Sequence, residues 1–478
     1  MIGISSCGAY VPFYRLPRSE IGRAWGGAAV PGEKAIANFD EDSVTMAVAA
    51  SLDCLKGINR SEVGSLYFAT TTAPYLEKEA AVIISYAVDL GRQVFTADFS
   101  NSLRAGTTAM RAAMDAVKAG AVKKVLVTAA DCRQGMPGSE FEQLFGDGAA
   151  AFLIGDSDLV ATVEGEYSHN NEMIDVWRTG YDHFVQVWEE RFVLTEGYMA
   201  NVQEAASAIL KKYNLNPKDV TKAVFYAPDA RRHTEMARTL GLDPKTQVAD
   251  PLFNTIGNTG AAFAPMMLVA ALEEAKPGDR ILFISYGDGC DAFIFRVTDL
   301  IDKMRDRNGI RKLVAAKKPI LNYERYLRNR RLMEVEVGRR RPPWVTSATA
   351  YWRDRPMILR LQGSKCRNCG RLFFPPQRVC IYCRAKDNFE YVRLADMKGT
   401  LYTFSKDELA ATLDPPVIMS IVNLEGGVRF MGQMTDRDPD QVKVDMSVEM
   451  TFRMLVEAGG FYNYFWKCQP LRIGGEKQ

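Results

Sequence analysis

Histidine is nearly missing from this chain, with three residues, His169, His183 and His233, in 478. Hydrolytic triads rest on an imidazole base, and no Ser-His-Asp signature surrounds any of the three. Each reads as a surface or satisfied polar residue. Long apolar runs are missing as well. None approaches the roughly 20 residues that span a bilayer, so the chain does not read as a membrane protein. The segment Met1 to Tyr10 lacks a basic start and a continuous apolar stretch, which argues against a signal peptide. Nine cysteines, four of them clustered, fit a reducing compartment better than a disulfide framework. The expected location is cytoplasmic.

The clustered cysteines are Cys366, Cys369, Cys380 and Cys383, two Cys-x-x-Cys pairs with ten residues between them. Each pair offers two thiolates from one tight knuckle, and the loop lets the knuckles face each other around a tetrahedral Zn2+. Four thiolates leave no open position for water or substrate. The expected metal is therefore structural, and any chemistry has to lie elsewhere.

The net charge of +2 hides an uneven distribution, because residues 303–341 hold 14 Lys/Arg against 4 Asp/Glu. Such a stretch suits phosphates of a nucleotide-bearing substrate, or else a solvated helix and linker. Aromatic residues are not regularly interleaved with the basic ones, which weighs against nucleic acid. Tyr323, Tyr326, Leu327 and Arg330 have helical spacing, and Arg339, Arg340 and Arg341 precede two prolines that end any helix.

A faint repeat runs through the first 300 residues. Ile58 to Val63, before the apolar Leu66 to Phe68, resembles Leu215 to Val220, before Ala223 to Phe225. Gly146-Asp147-Gly148 after one apolar run resembles Gly287-Asp288-Gly289 after another. Offsets of 157 and 141 residues indicate a duplicated α/β unit. Short apolar runs alternating with helical segments predict a largely parallel sheet covered on both faces. The clearest helix is expected from Ala105 to Ala119, with Met110, Ala113, Met114 and Val117 as its apolar stripe and Gly120 as its stop.

Asn101 to Thr107, Ala130 to Gly135, Pro137-Gly138, Ile256 to Gly260, Lys276 to Asp279 and Ser285 to Gly289 occur in an order that resembles the thiolase superfamily. The similarity is to its hydroxymethylglutaryl-CoA synthase branch, archaeal type. It implies an αβαβα fold and condensation chemistry on coenzyme A thioesters through a cysteine at a helix N-terminus. Here Leu103 stands at the nucleophile position, Tyr226 at the histidine and Thr71 at the general-acid glutamate. Asn258 matches the oxyanion-hole asparagine. Ser102, Cys132 and Cys290 are the substitute nucleophiles to consider.

From about Arg355 the pattern turns to short strands with Gly-rich turns, which predicts a small β-barrel. With the zinc knuckles it resembles the zinc-ribbon and OB-fold module that accompanies thiolases. Such barrels also bind single-stranded nucleic acid, a reading that the non-basic barrel segment disfavours. The expected fold class is α/β, a duplicated thiolase-like body over 1–335, a linker over 336–355, a ribbon over 356–390 and an OB-type barrel over 391–478.

Three functions follow from the resemblance. One is an acyl-CoA-binding subunit of a carbon–carbon bond-forming or -cleaving complex, a homodimer or joined to a thiolase-type partner subunit. Another is a non-covalent aldol or retro-aldol lyase on a β-hydroxyacyl-CoA, with Tyr226 moving the proton and Asn258 holding the enolate. The third is an acyltransferase with an unrecognised nucleophile.

Overall fold

A computed structural model describes residues 1–336 and 346–472, which form two compact units. The first comprises Met1–Ala37, Asp42–Val82 and Leu90–Tyr323. The triplet Arg339, Arg340 and Arg341 lies outside the described residues.

The first unit is built twice. One half holds β1 (Gly3–Tyr10), α1 (Ser43–Cys54), β2 (Val63–Thr70), β3 (Phe95–Ser100), α2 (Ala105–Lys118), β4 (Lys124–Asp131) and β5 (Gly148–Gly155). The other holds β6 (Ala161–Asn170), α3 (Ala200–Lys212), β7 (Lys222–Phe225), α4 (Ala230–Thr239), α5 (Phe263–Glu274), β8 (Arg280–Tyr286) and β9 (Gly289–Val297). Their strands join in the order β7-β8-β9-β6-β1-β5-β4-β2-β3, so that β7-β8-β9-β6 mirrors β2-β4-β5-β1 across the β6–β1 seam. The two sequence matches fall on equivalent places. Arg60–Glu62 and Pro217–Asp219 are both single 3-10 turns that feed β2 and β7.

Helices α1 and α5 are buried on nearly all faces. Helices α2 and α3 bury one face each. For α2 that face includes Met110, Ala113, Met114 and Val117, and Gly120 follows it at φ +71°. The layers are thus α, β, α, β, α. The expectation of a largely parallel sheet is corrected, since only β7–β8, β2–β3 and β2–β4 pair in parallel while the other five junctions are antiparallel. The apolar runs at Gly148–Gly155 and Gly289–Val297 are continuous because both faces are covered, and burial does not dictate direction.

The second unit comprises 38–41, 83–89 and the described residues from Glu324 onward. Helix α6 (Ala348–Arg360) runs across the expected boundary near 355. It leads to a three-stranded ribbon of β10 (Gln362–Cys366), β11 (Leu372–Phe373) and β12 (Phe389–Arg393). A closed five-stranded barrel follows, formed by β13 (Gly399–Asp407), β14 (Val417–Leu424), β15 (Arg429–Met434), β16 (Ser447–Ala458) and β17 (Phe461–Pro470). Trp466, fully buried on β17, meets Phe452 edge-on and donates from Nε1 to the carbonyl of Leu359, which pins α6 to the barrel.

A buried ion network holds the short segment 38–41 in this unit. Arg453 pairs with Glu41 and, at 2.6 Å, with Asp436, while Lys467 pairs with Asp40 at 2.8 Å. Burial alone would raise the Asp40 carboxyl, yet Lys467 and Arg453 hold it below its usual value. Breaking one partner of such a set costs about 3–5 kcal/mol.

Candidate active site

Two cavities of the first unit meet at Leu103. One, about 200 Å³ and mostly apolar, is lined by Leu144, Val193, Tyr198, Tyr226, Asn258 and Tyr286 among others. The second, about 310 Å³ and more polar, takes in Thr71, Asn101, Ser102, Trp177 and Arg178. Leu103, Arg133, Asp175 and Val176 line both. Leu103 sits just before α2, whose first residue is Ala105, so the positive end of that helix points at an alkyl group. The approach is tight. A side chain at Gly287 would meet the amides of Leu103 and Arg104 at about 3 Å, so only glycine lets the β8–β9 turn pass there.

Asn258 is positioned by its own backbone and side chain. Its amide donates to the carbonyl of Leu144 at 2.8 Å, and its carbonyl accepts from Gly146 at 3.0 Å. The side-chain Oδ1 accepts from the Gly260 amide, which fixes the flip and turns Nδ2 toward Tyr226, 3.2 Å away. Tyr226 follows β7 directly and is boxed by Tyr198, Tyr286 and Phe263, with ring centroids 5.8–6.3 Å away. Burial pushes its phenol upward against the opposing pull of Arg133 and Asn258, so the neutral form prevails at neutral pH. Tyr226 and Asn258, far apart in sequence, are therefore one hydrogen-bonded pair in the cavity wall.

Thr71 is placed differently. Its Oγ donates to Asp131 at 2.9 Å and its amide at 2.7 Å. Thr70, Thr72 and the Ala261 amide donate to the same buried carboxylate. Five donors converge on Asp131, and the Thr71 hydroxyl is committed to holding it. The remaining candidates are separate from the pair. Cys290 is fully buried on β9, where burial and the neighbouring Asp291 push its thiol well up. Neither Cys290 nor Cys132 lines either cavity. Ser102 lines the polar one, with Oγ 3.4 Å from the carbonyl of Gly287.

His169 bonds Asn201 at 2.8 Å, as a satisfied polar residue would, and His183 is exposed. His233 corrects its expectation. It is buried on α4, stacked on Phe225 with centroids 4.5 Å apart, and its Nε2 has no partner. Burial lowers its pKa to about 4.

Three site residues escaped sequence reasoning. Arg133 and Tyr286 stood inside named motifs without a role, and Asp175 gave no spacing signal. Burial raises the Asp175 carboxyl, which hydrogen-bonds Tyr286. Of the basic stretch, several members are consumed in structure: Arg305 donates to the carbonyls of Glu273 and Ala275, Arg307 is buried, and Lys317 pairs with Glu33.

In the second unit the four clustered cysteines converge, with all Sγ atoms within 4.8 Å of one another. Cys366 and Cys383 sulfurs lie 3.6 Å apart, Cys369 and Cys380 3.5 Å. Zinc–thiolate bonds of about 2.3 Å imply tetrahedral edges of about 3.8 Å, so the cage fits Zn2+. A side-chain hydrogen bond from Asn368 and the Ala385 amide draw the Cys383 thiol down to about 6.

The layered duplicated fold with a site at the N-terminus of a central helix defines a thiolase-superfamily protein. Residues 97–167 and 210–297 match the N- and C-terminal models of 3-oxoacyl-[acyl-carrier-protein] synthase III. Residues 353–390 match the ChsH2 rubredoxin-like zinc ribbon domain, and 391–453 match the ChsH2 C-terminal OB-fold domain. The hydroxymethylglutaryl-CoA synthase of Pyrococcus furiosus is 34% identical over 337 residues, covering 69% of this chain and 96% of that relative. That of Archaeoglobus fulgidus is 34% identical over 346 residues, 70% and 100% of the two chains. This chain belongs to the hydroxymethylglutaryl-CoA synthase family. Among solved structures, an HMG-CoA synthase complexed with CoA is similar at TM-score 0.64 and 18% identity, over 72% of this chain and 94% of that one. The HMG synthase of the curacin pathway with holo donor-ACP matches at 0.60 and 18%, over 68% and 88%. Both show the shared fold. Among the described residues no helix is long and apolar enough to cross a membrane.

Proposed function

We propose that the first unit binds a coenzyme A thioester and makes or breaks the adjacent carbon–carbon bond without an acyl-enzyme, as an aldol or retro-aldol lyase on a β-hydroxyacyl-CoA. The observation that carries this reading is the buried Tyr226–Asn258 pair, kept at 3.2 Å beside a leucine where the family's resemblance implies a nucleophile. Relatives solved with CoA support the ligand class. In the cleavage direction Tyr226 acts from its minor phenolate form, taking the β-hydroxyl proton on its oxygen as the Cα–Cβ bond breaks. Its electron pair moves into a thioester enolate whose oxygen accepts from Asn258 Nδ2. The carbonyl product leaves, and the enolate carbon takes a proton from Asp175, whose raised pKa favours the protonated acid. Bond formation runs the same steps backward, with the neutral Tyr226 phenol protonating the new alkoxide.

A second reading is supported by the ribbon and OB matches: the chain acts as one subunit of a larger acyl-CoA assembly, homodimeric or with a thiolase-type partner subunit. In both readings the zinc is structural and the compartment cytoplasmic, and the division at 335, 355 and 390 describes the working parts. The test is release of a carbonyl product and a shortened acyl-CoA from 3-hydroxyacyl-CoAs by the purified full chain. Absence of turnover by the chain alone, with turnover on adding a copurifying thiolase, would move the chemistry to the partner.

A further inference from the structure

Arg133 is a buried cation without a counter-ion. It is 6% exposed, and its Nη1 is sealed from solvent with no hydrogen-bond partner. Among the described residues it forms no ion pair, and its guanidinium lies 4.3 Å from the centre of the Phe145 ring. Its stem crosses the loop that carries Asn258. A side chain at Gly260 would meet Arg133 Cδ at 2.6 Å, so glycine is needed there. Phe145 is in turn joined to Asn258 by a β-bridge. The guanidinium is thereby fixed beside the Tyr226–Asn258 pair, in the wall of the same cavity. A buried charge left unpaired is costly, and such groups gather where a site uses them.

The charged groups around Arg133 are Tyr226, Asp131, Arg178 and Asp175. Asp131 is already held by five donors, and Arg178 lines the polar cavity and donates to the Thr71 carbonyl. Tyr226 faces Arg133, Asp175 and Asp229, with the rings of Tyr198 and Tyr286 against it. Asp229 is occupied in capping α4. Tyr226 and Asp175 therefore remain for Arg133, and burial favours the neutral form of each.

The cleavage steps set out above move one negative charge through this space. It starts on the Tyr226 phenolate and passes to the thioester enolate when Tyr226 takes the β-hydroxyl proton. It ends on Asp175 when that acid protonates the enolate carbon. The phenol proton then returns to Asp175 by way of solvent, so protons and charge balance over one turnover. We propose that Arg133 is the resident counter-ion of this moving charge, a positioning residue that acts through Tyr226 and Asp175 and stays unpaired at rest for that purpose. Among the described residues it is the only cation in the apolar cavity's wall, where the other charged groups, Glu140, Asp175, Glu190 and Asp229, are acidic. The proposal rests on the lyase reading.

The test places a ring-fluorinated tyrosine, whose phenol is more acidic, at position 226 and follows its titration by fluorine NMR without substrate. The full chain is compared with Arg133→Met, Arg133→Gln and Arg133→Lys. Losing the cation is expected to raise the midpoint by about 1 pH unit or more in both neutral variants, and lysine should restore most of the shift. With tyrosine at 226, kcat on a 3-hydroxyacyl-CoA should fall about 10-fold or more in the neutral variants, with KM nearly unchanged and partial recovery in Arg133→Lys. Equal midpoints in the native and neutral proteins overturn the counter-ion role, and turnover by the same chain would leave the lyase reading standing. A raised KM at constant kcat overturns the role too, by assigning Arg133 to substrate binding. A shifted midpoint in a chain that cleaves no 3-hydroxyacyl-CoA overturns the lyase reading and the moving charge with it. The two neutral variants differ in packing, so the comparison survives the misfolding of either.

Discussion

Cysteines of the ribbon and of the first unit's core face opposite fates. In the ribbon, four of them meet within 4.8 Å, and Cys383 is drawn down to about 6 by its hydrogen bonds. In the first unit, Cys7, Cys54 and Cys290 are sealed in the core, and burial pushes each thiol up, Cys54 to about 12. The same side chain is a metal ligand in one setting and a small apolar filler in the other, because four thiols converge in the ribbon whereas desolvation in the core favours the neutral thiol. The first unit carries that logic into its cavity. Its polar chemistry rests on oxygen and guanidinium groups, with a leucine at the helix end.

Removing the ribbon's metal should have the largest effect. Structural zinc contributes binding free energy on the order of 10 kcal/mol to folding. Chelation, or Cys380→Ser, is expected to abolish amide-exchange protection over Gln362–Arg393 while Gly3–Tyr10 stays protected. Unchanged protection in the ribbon after chelation would contradict the structural role. Next comes Tyr226→Phe, which should lower turnover on a β-hydroxyacyl-CoA about 100-fold or more with native thermal stability. Retained turnover would leave Tyr226 as a space-filling ring.

His233 provides a pH test of the core that the ribbon thiols cannot give. Its folded pKa of about 4 lies below the usual 6.5, so the unfolded chain binds the proton more readily. The stability it permits is therefore complete above about pH 6.5 and falls as pH drops toward 4, by about 3 kcal/mol in total. Urea titrations of the native protein and His233→Phe at pH 7 and pH 4.5 should show a smaller loss in the variant. An identical loss in both proteins would mean that His233 is not buried in neutral form. Cys290→Ala should do least, costing about 1 kcal/mol of stability and leaving turnover unchanged. Collapse of activity would make it a nucleophile after all.

Much of this was readable in the sequence wherever short-range spacing carries the physics. The two Cys-x-x-Cys pairs, the α2 stripe and Gly120, and the duplicated turns before β2 and β7 all act within a few residues. The joining of Tyr226 to Asn258 was legible only through the family resemblance. Strand direction was not, because Gly148–Gly155 and Gly289–Val297 are apolar from double coverage whichever way their neighbours run. Nor could spacing show that 38–41 belongs with the barrel, an assignment made by ion pairs some 400 residues apart in sequence. Arg133 was visible as a letter, but not that its buried Nη1 would lack a hydrogen-bond partner while Asp131 is held by Thr70, Thr71, Thr72 and Ala261.

The central claim, carbon–carbon chemistry on an acyl-CoA without a covalent intermediate, is tested most directly by intact-mass spectrometry of the full chain quenched during turnover of a β-hydroxyacyl-CoA. The account predicts product formation with the protein mass unchanged. An acyl adduct that maps to Cys132, Cys290 or Ser102 would contradict it.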